Sequence, residues 1–295
     1  MPLDIFIPYW GDPGYMEDTV RSVLAQDSDD WVLTIIDDAY PDHTVETFIA
    51  KLNHPRITYI RKEKNEGITA NYRSCVALAK QDVMVILGCD DIMHPNYVST
   101  ILAGHQQFPD ASIIQPGVRV IDENGQEIHT IVDTVKQRIV KPRSHGRQLL
   151  SGEALATNLM HGVWLYWPSL AFRTDKIRQV DFRDGYPIIQ DVALTMDMIF
   201  QGAQLLVDPT VCFSYRRHSE SASSTKLVDG SRFAGERQYF SFAASQSAEL
   251  GWTKTNRAAK LRLTSRAHAL VLLPKAALSR HVVAVKALTR HAFGS

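Results

Sequence analysis

The sequence has few cysteines, no long apolar run and no acidic residue near its C-terminal end. Its three cysteines, Cys75, Cys89 and Cys212, lack metal-type spacing and suit a reducing compartment. No uncharged apolar run reaches the roughly 18 residues of a membrane-spanning helix. The first residues lack the basic and apolar regions of a signal peptide. We therefore expect a cytoplasmic protein.

Acidic residues are absent from Gly251 onward, although the whole chain carries 32 basic and 32 acidic side chains. This tail holds nine Lys and Arg, so the first 250 residues carry 23 basic against 32 acidic side chains. Leu and Val accompany the cations in residues 253–292, which predicts basic amphipathic helices separated near Pro274. Two interpretations stay open: peripheral binding to the inner face of a membrane, or packing on the acidic body of the chain or on a second subunit of a homodimer. We expect no nucleic-acid partner.

Strand and helix patterns alternate in the first 90 residues. Short apolar runs at residues 3–9, 32–36, 57–60 and 83–87 predict buried strands, and helical spacing fills the segments between them. This alternation predicts an α/β fold with a mainly parallel sheet flanked by helices. Strands near Ile113 and Val118, a long loop over 130–150 and a helix over 189–200 follow. We expect one domain over 1–225 and a helical extension over 226–295.

Two adjacent carboxylates, Asp90 and Asp91, follow the fourth predicted strand. A parallel strand delivers its last residues to the carboxyl edge of the sheet, where ligands bind in open α/β folds. Paired carboxylates at such an edge suit Mg²⁺ or Mn²⁺, which also binds substrate phosphates. The alternative is a solvated pair that opens a loop.

Seven segments occur in an order and spacing that resemble the inverting glycosyltransferases of family 2, which have the GT-A fold. They are IPYWGDPGYMEDTVRSVLAQ, TIIDDAYPD, NEGITANYRS, VILGCDDIMHP, PSLAFRTDKI, QDVALTMDMIFQG and SYRRHSESASS. Each segment alone is weak evidence for the family. The ordered series, which covers roughly residues 3–225, is strong evidence.

The resemblance implies a set of nucleotide-binding residues along the carboxyl edge. Carboxylates there accept hydrogen bonds from base or ribose groups, and asparagine offers both a donor and an acceptor. Turn or helix-cap roles are the alternatives for the aspartates and for the Asn-x-Gly segment. The implied residues are Pro8, Tyr9, Asp37, Asp38, Asn65, Gly67, Asn71, Asp90 and Arg217.

The resemblance also implies a bound Mg²⁺ or Mn²⁺ on Asp91, with Asp90 and His218 close to it. Many relatives have Asp-x-Asp-Asp where this chain has Gly88-Cys89-Asp90-Asp91, so the leading carboxylate is missing. A structural role is the alternative for His218. Arg216 and Arg217 match phosphate geometry, although a surface role for one of them is equally open.

Asp191 is the catalytic base that the resemblance implies, in the first turn of the predicted helix. The family commonly has Glu-Asp where this chain has Gln190-Asp191. Inversion is a single displacement, which needs one carboxylate to take the proton of the acceptor hydroxyl. A first-turn acid favoured by the helix dipole is the alternative. Upstream, Trp164, Tyr166 and Trp167 suit either core packing or an acceptor platform.

The expected activity is transfer of one sugar from a UDP-, dTDP- or GDP-linked donor to a hydroxyl of a glycan or lipid-linked acceptor. A nucleotide-sugar-binding protein without turnover is one alternative, favoured by the altered Gly88 and Gln190 positions. A sugar-nucleotide nucleotidyltransferase is the other. It needs a Gly-rich basic loop after the first strand, and PYWGDPGYMED contains no Lys or Arg.

Overall fold

The computed structural model describes residues 2–135, 137, 140–142, 146–186, 189–217, 231–278 and 282–294. In this part of the chain one sheet of nine strands forms the centre of the molecule. The strands are β1 Leu3–Tyr9, β2 Trp31–Asp37, β3 Ile57–Arg61, β4 Val83–Ile86, β5 Ile92–Met93, β6 Ala111–Ile121, β7 Gln148–Leu150, β8 Ala171–Arg173 and β9 Gln204–Arg216.

Helices cover the sheet and then continue alone at the C-terminal end. The α-helices described before residue 201 are α1 Pro13–Leu24, α2 Thr44–Leu52, α3 Ile68–Leu78, α4 Tyr97–Gln107, α5 Ile131–Val135, α6 Gly152–His161, α7 Thr174–Ile177 and α8 Gln190–Phe200. Those described after it are α9 Ser231–Glu249, α10 Thr253–Leu261, α11 Leu263–Leu278 and α12 Val282–Phe293.

The first four strands form a parallel half-sheet in the order β3-β2-β1-β4. Leu3 pairs with Trp31 on one side and with Val83 on the other. Every residue of β1 is buried, because β1 lies between two strands and both faces of the sheet are covered. The sequence prediction for this half is confirmed, and the ends of β1, β2 and β4 lie at one edge.

The second half of the sheet is mixed. Strand β8 runs antiparallel to β4 and β6, whereas β9 runs parallel to β6. The two strands predicted near Ile113 and Val118 are one strand, β6, with a register irregularity at Gly117. A Cβ on Gly117 would lie 2.7 Å from the carbonyl oxygen of Pro209, so only glycine allows this approach.

The prediction of a long loop over residues 130–150 is partly wrong. It contains the short helix α5 and the strand β7, which pairs antiparallel with β9. Asp133 of α5 bonds to Arg217 and Tyr166, which are distant in sequence. Tertiary contacts such as these stabilise the two elements, and the sequence of this segment has no periodicity that would have predicted them.

The C-terminal region is helical, as expected. Helix α9 packs on α8, where the Tyr239 hydroxyl donates to the carbonyl of Ala193 over 3.1 Å. A separate small core of Phe233, Ala269, Leu288 and Ala292 joins α9 to α11 and α12. Among the described residues, no helix is both long and apolar enough to cross a membrane.

Candidate active site at the carboxyl edge of the sheet

The carboxyl edge brings together three chain segments that the sequence places far apart. Tyr9 pairs with Asp37 in the ladder between β1 and β2, and the Asp38 amide donates to the Tyr9 carbonyl over 3.1 Å. The Leu87 amide donates to the Phe6 carbonyl, which carries β4 to the same edge. The residues that follow each strand therefore lie side by side.

Arg216, at the end of β9, fixes the loop that carries Asp90 and Asp91. Its amide donates to Asp91 Oδ1 over 2.8 Å, and its Nε donates to the Asp90 carbonyl over 2.7 Å. The guanidinium lies 4.6 Å from the centre of the Tyr15 ring, and the residue is buried. Arg216 therefore binds protein groups and is neither a surface residue nor a free phosphate clamp.

The second carboxylate oxygen of Asp91 has no hydrogen-bond partner, although Asp91 is fully buried. Burial and then the neighbouring charge of Asp90 hold the pKa of the Asp91 carboxyl well above its usual range. A Cβ on Gly88 would overlap this oxygen, so glycine leaves the space that the carboxylate occupies. A buried, unpaired carboxylate oxygen is the chemistry that a hard divalent cation satisfies.

The side chains around Asp91 suit a divalent cation that takes part of its ligands from water and substrate. Within the described parts of the chain, no group of three or more His, Cys, Asp or Glu side chains is placed to hold a metal. Mg²⁺ commonly binds one or two carboxylates and completes its shell with water and substrate phosphate. Asp91 with Asp90 fits that pattern. His218 lies outside the described residues.

The two aspartates at the end of β2 bind protein donors. Asp37 accepts the Tyr40 amide over 2.7 Å, the Tyr59 hydroxyl and the Arg61 guanidinium. Asp38 accepts the amides of Glu66 and Gly67 and pairs with Lys62 over 3.1 Å. The Asp38 carboxylate holds the 62–67 loop in place. Any ligand that contacts Asp37 shares its carboxylate with these protein donors.

Two further buried polar atoms lack partners at this edge. Asn71 donates from Nδ2 to the Ile36 carbonyl over 2.9 Å, but its Oδ1 has no partner. The Tyr9 hydroxyl has none either, and burial raises the pKa of Tyr9. Unpaired buried polar atoms are rare in proteins, so their presence at the edge that also carries Asp91 indicates a site for a polar ligand.

The other predicted nucleotide-binding residues lie along the same edge. Pro8 is within β1, opposite Ile36. Asn65 is exposed on the loop before α3. Gly67 adopts a φ of 85° with open space around its Cα, a conformation that favours glycine.

Trp10 and Tyr40 form an aromatic ledge that the sequence prediction missed. Trp10 is 48% exposed and lies edge-on to Tyr40 at 5.3 Å, and Tyr40 lies 5.2 Å from Tyr9. An exposed tryptophan directly after a buried strand was the available signal. Such a ring offers a flat face to a nucleobase.

Asp191 lies in the first turn of α8 and is partly exposed. Burial raises the pKa of the Tyr215 hydroxyl, and the charge of Asp91 raises it further. The charges of Asp90 and Asp191 also raise the Tyr215 pKa, whereas Arg217 lowers it. The carboxylates of the candidate metal ligands and of the candidate base therefore all raise the pKa of one tyrosine.

Gln190, at the position where the family commonly has Glu, is buried. Its side-chain carbonyl accepts the Thr69 hydroxyl over 2.7 Å, which joins α8 to α3. Tyr72 of α3 packs on Trp167 with ring centres 5.8 Å apart. Burial raises the pKa of Tyr72, and the charge of Asp191 raises it further.

Arg217 makes a two-pronged ion pair with Asp133, over 2.9 Å and 2.7 Å. The Tyr166 hydroxyl donates to the same carboxylate over 2.8 Å. Burial alone would raise the pKa of Asp133, but the hydrogen bonds from Arg217 and Thr130 hold it below its usual value. Asp133 therefore orients Arg217 beside the Tyr215 ring, and no local sequence signal indicated it.

The three aromatic residues upstream belong to the core. Trp164, Tyr166 and Trp167 are all buried, and the indole of Trp164 donates to Asn158 over 2.6 Å. Burial favours the packing interpretation over an exposed acceptor platform. A separate cleft of about 630 Å³ lies between the 179–186 segment, the end of α8 and α9, and its lining does not include Asp90, Asp91 or Asp191.

Comparison with known proteins finds related sequences and a shared fold. The model of "Glycosyl transferase family 2" matches residues 4–169. A putative colanic acid biosynthesis glycosyl transferase of Escherichia coli K12, WcaA, is 32% identical over 107 residues, which are 36% of this chain and 38% of that protein. An uncharacterized glycosyltransferase of Rickettsia conorii is 26% identical over 225 residues, which are 75% of this chain and 35% of that protein. The chain thus spans little more than a third of these two relatives.

A solved structure shares the fold along nearly the whole chain. The S. aureus TarS 1-349 structure in complex with UDP-GlcNAc has a TM-score of 0.73 and 13% identity, and covers 99% of this chain and 82% of TarS 1-349. The same TarS fragment in complex with UDP has a TM-score of 0.60. At this identity the likeness shows the fold alone.

Proposed function

Because the chain belongs to glycosyl transferase family 2 and has the GT-A fold, we propose that it is an inverting, divalent-metal-dependent glycosyltransferase. The observation that carries the proposal is the buried, unpartnered Asp91 oxygen at the carboxyl edge. The charges of Asp91 and Asp191 both raise the pKa of Tyr215. The acceptor class, a glycan or lipid-linked hydroxyl, is part of the proposal.

Donor binding is assigned to the carboxyl edge. The nucleobase lies against the Trp10–Tyr40 ledge, where Tyr9 Oη and Asn71 Oδ1 offer unused hydrogen-bonding capacity. Asp90 and Asp91 would hold Mg²⁺ or Mn²⁺, which neutralises charge on the leaving nucleoside diphosphate. Arg217, oriented by Asp133, adds a cation beside the phosphates.

Proton transfer is assigned to Asp191. Its carboxylate takes the proton of the acceptor hydroxyl as that oxygen attacks the anomeric carbon opposite the leaving group. Gln190 replaces a second acid and bonds to Thr69, so Asp191 is left as the base in this turn. The developing charge on the sugar resembles the oxocarbenium-like state of glycoside hydrolysis.

Thermal unfolding with a panel of nucleotide sugars tests donor binding. UDP-linked sugars come first, since the TarS fragment of the same fold was solved with UDP-GlcNAc, followed by dTDP- and GDP-linked sugars. A ligand at a hundred times its Kd stabilises the native state by about 2.7 kcal/mol. We expect one base class to raise Tm with Mn²⁺ and to lose that effect with EDTA.

Two results of the panel would overturn parts of the proposal. A shift that is equal with Mn²⁺ and with EDTA would remove the metal from donor binding. No shift with any donor would remove nucleotide sugars as ligands. Donor binding without nucleoside diphosphate release, in the presence of glycan and lipid-linked acceptors, would support the non-catalytic alternative.

A further inference from the structure

The hairpin of α11 and α12 turns a largely apolar surface toward solvent. We name this the hairpin surface. Val271 and Leu278 on α11 are 74% and 86% exposed, and Val282 on α12 is 77% exposed. Among the α11 side chains that the structure describes, the exposed ones are Leu263, Thr264, Ala267, Leu270, Val271, Pro274, Ala277 and Leu278, and none of these is charged. Those of α12 are Val282, Val283, Lys286, Thr289, Arg290 and Phe293.

The opposite side of the hairpin is anchored. Ser265 bonds to His291 Nε2 over 2.7 Å, and Arg266 donates to the Gly294 carbonyl over 2.9 Å. These contacts join the start of α11 to the end of α12, so the two helices are antiparallel. Phe233 of α9 packs beneath them with Ala269. The exposed apolar side chains therefore belong to a packed hairpin with one uncovered side.

Cations border the hairpin surface. Lys286 and Arg290 are exposed on α12, and Lys260 is exposed at the end of α10, directly before α11. From Gly251 onward the sequence contains nine Lys and Arg and no acidic residue. An apolar surface bordered by cations matches the interface of an anionic bilayer, where acyl chains lie beneath negative headgroups.

We propose that the hairpin surface docks on a membrane that contains anionic lipid. The hairpin lies flat in the interface, with Val271, Leu278 and Val282 among the upper acyl carbons. Lys286 and Arg290 lie near the headgroup phosphates. This mode of binding requires no spanning segment.

A second copy of the chain fits the same surface less well. A two-fold dimer places the same patch of both subunits face to face. The cations on α12 would then approach the cations of the partner, with no acidic residue of the tail to pair with them. Like charges at an interface oppose association.

Vesicle flotation of the full chain tests the proposal. The probes are phosphatidylcholine vesicles with and without 30% phosphatidylglycerol, at low and high salt. We expect binding only to the anionic vesicles, with a loss at high salt because exposed charges are then screened. The double variant V271S/L278S should bind at least about tenfold more weakly, since both side chains lose apolar burial.

Matched variants separate the two contributions. L78S/L250S removes two leucines that are 41% and 45% exposed outside the hairpin, and should bind as the wild type does. The substitutions K286Q and R290Q together should lower the partition coefficient by about 30-fold, since each cation near an anionic surface contributes about fivefold. The control K51Q/K80Q, at exposed lysines of the N-terminal half, should have no effect.

Each opposing result overturns the proposal. Equal flotation of the wild type and V271S/L278S would show that the hairpin surface does not contact lipid. Equal binding to neutral and anionic vesicles would remove the electrostatic part. A dimer in sedimentation that V271S/L278S abolishes, with no vesicle binding, would assign the surface to a second copy. All variants should show wild-type circular dichroism, because the changed side chains are exposed.

Discussion

Gly88 leaves room for the Asp91 carboxylate to lie against the backbone of its own loop. The leading acid that many relatives have at this position is absent here. A Cβ at Gly88 would meet Asp91 Oδ2 and Asp90 Oδ1. An acidic side chain at position 88 would therefore clash with the two carboxylates in their present positions.

G88A should weaken metal-dependent nucleoside diphosphate binding while the protein stays folded. The added methyl group displaces the Asp91 carboxylate, and we expect a loss of roughly 10-fold, or about 1.4 kcal/mol. Isothermal titration with UDP and Mn²⁺ measures it. G251A, at a glycine with a positive φ and open space between α9 and α10, is the control that carries strain away from this loop. Wild-type affinity in G88A would contradict this placement of Asp91.

D91N should abolish most of the metal dependence of nucleoside diphosphate binding. Asparagine keeps the shape of the side chain but removes the charge that a divalent cation requires. Calorimetry with and without Mn²⁺ compares it with D110N, an exposed aspartate on a turn. Unchanged metal dependence in D91N would show that another group binds the ion.

D191N should lower turnover by roughly 10²–10⁴, the usual contribution of a general base. Donor affinity should stay, because Asp191 is assigned to the acceptor hydroxyl. E46Q is the matched control, since Glu46 is also an acid in the first turn of a helix. Equal turnover in D191N and the wild type would show that Asp191 is not the base and that it only interacts with the helix dipole.

At the scale of elements, α12 depends on a buried neutral histidine. Burial lowers the pKa of His291 to about 4, and Glu236 opposes this while Arg237 lowers it further. The unfolded chain therefore binds a proton as the pH falls below about 6.5, whereas the folded chain stays neutral until about 4. The contribution of His291 therefore leaves the free energy of unfolding unchanged above pH 6.5 and lowers it as the pH falls from 6.5 to about 4.

We expect this histidine to remove on the order of 2–3 kcal/mol of unfolding free energy between pH 7 and pH 4. Urea denaturation at several pH values measures the loss, with helical circular dichroism as the signal. H291Q cannot titrate and should show a flatter pH dependence. H43Q, at an exposed histidine, should match the wild type. Parallel pH profiles for H291Q and the wild type would show that His291 does not control this stability.

The sequence was most informative where local patterns determine the structure. Strands β1, β2 and β4 are short apolar runs between helices of clear period, so their positions and their shared edge could be predicted. Asp91 and Asp191 followed from motifs near those strand and helix ends. Their roles stay predictions.

Long-range contacts explain what the sequence did not reveal. Strand β6 pairs with β9 across about ninety residues, and β8 inserts between β4 and β6. Asp133 binds Arg217 from a segment without periodicity. No local pattern encodes such pairs, and the hydrogen bonds that occupy Asp37 arise the same way.

At the scale of the whole molecule, the charge of the chain is divided. The first 250 residues carry nine more acidic than basic side chains, and the tail carries nine cations and no acid. The proposed donor site lies in the acidic body, where a divalent cation would offset repulsion between carboxylates and phosphates. The proposed membrane contact lies in the basic tail. Binding at the two regions can therefore be measured separately.

The configuration of the product tests inverting transfer most directly. Purified protein, the α-linked nucleotide sugar selected by thermal unfolding and Mn²⁺ are followed by proton NMR as the sugar is transferred or released to water. We predict that the β anomer forms first, together with the nucleoside diphosphate, and that EDTA or D91N prevents both. An α anomer as the first product, or release that is unaffected by EDTA, would contradict the account.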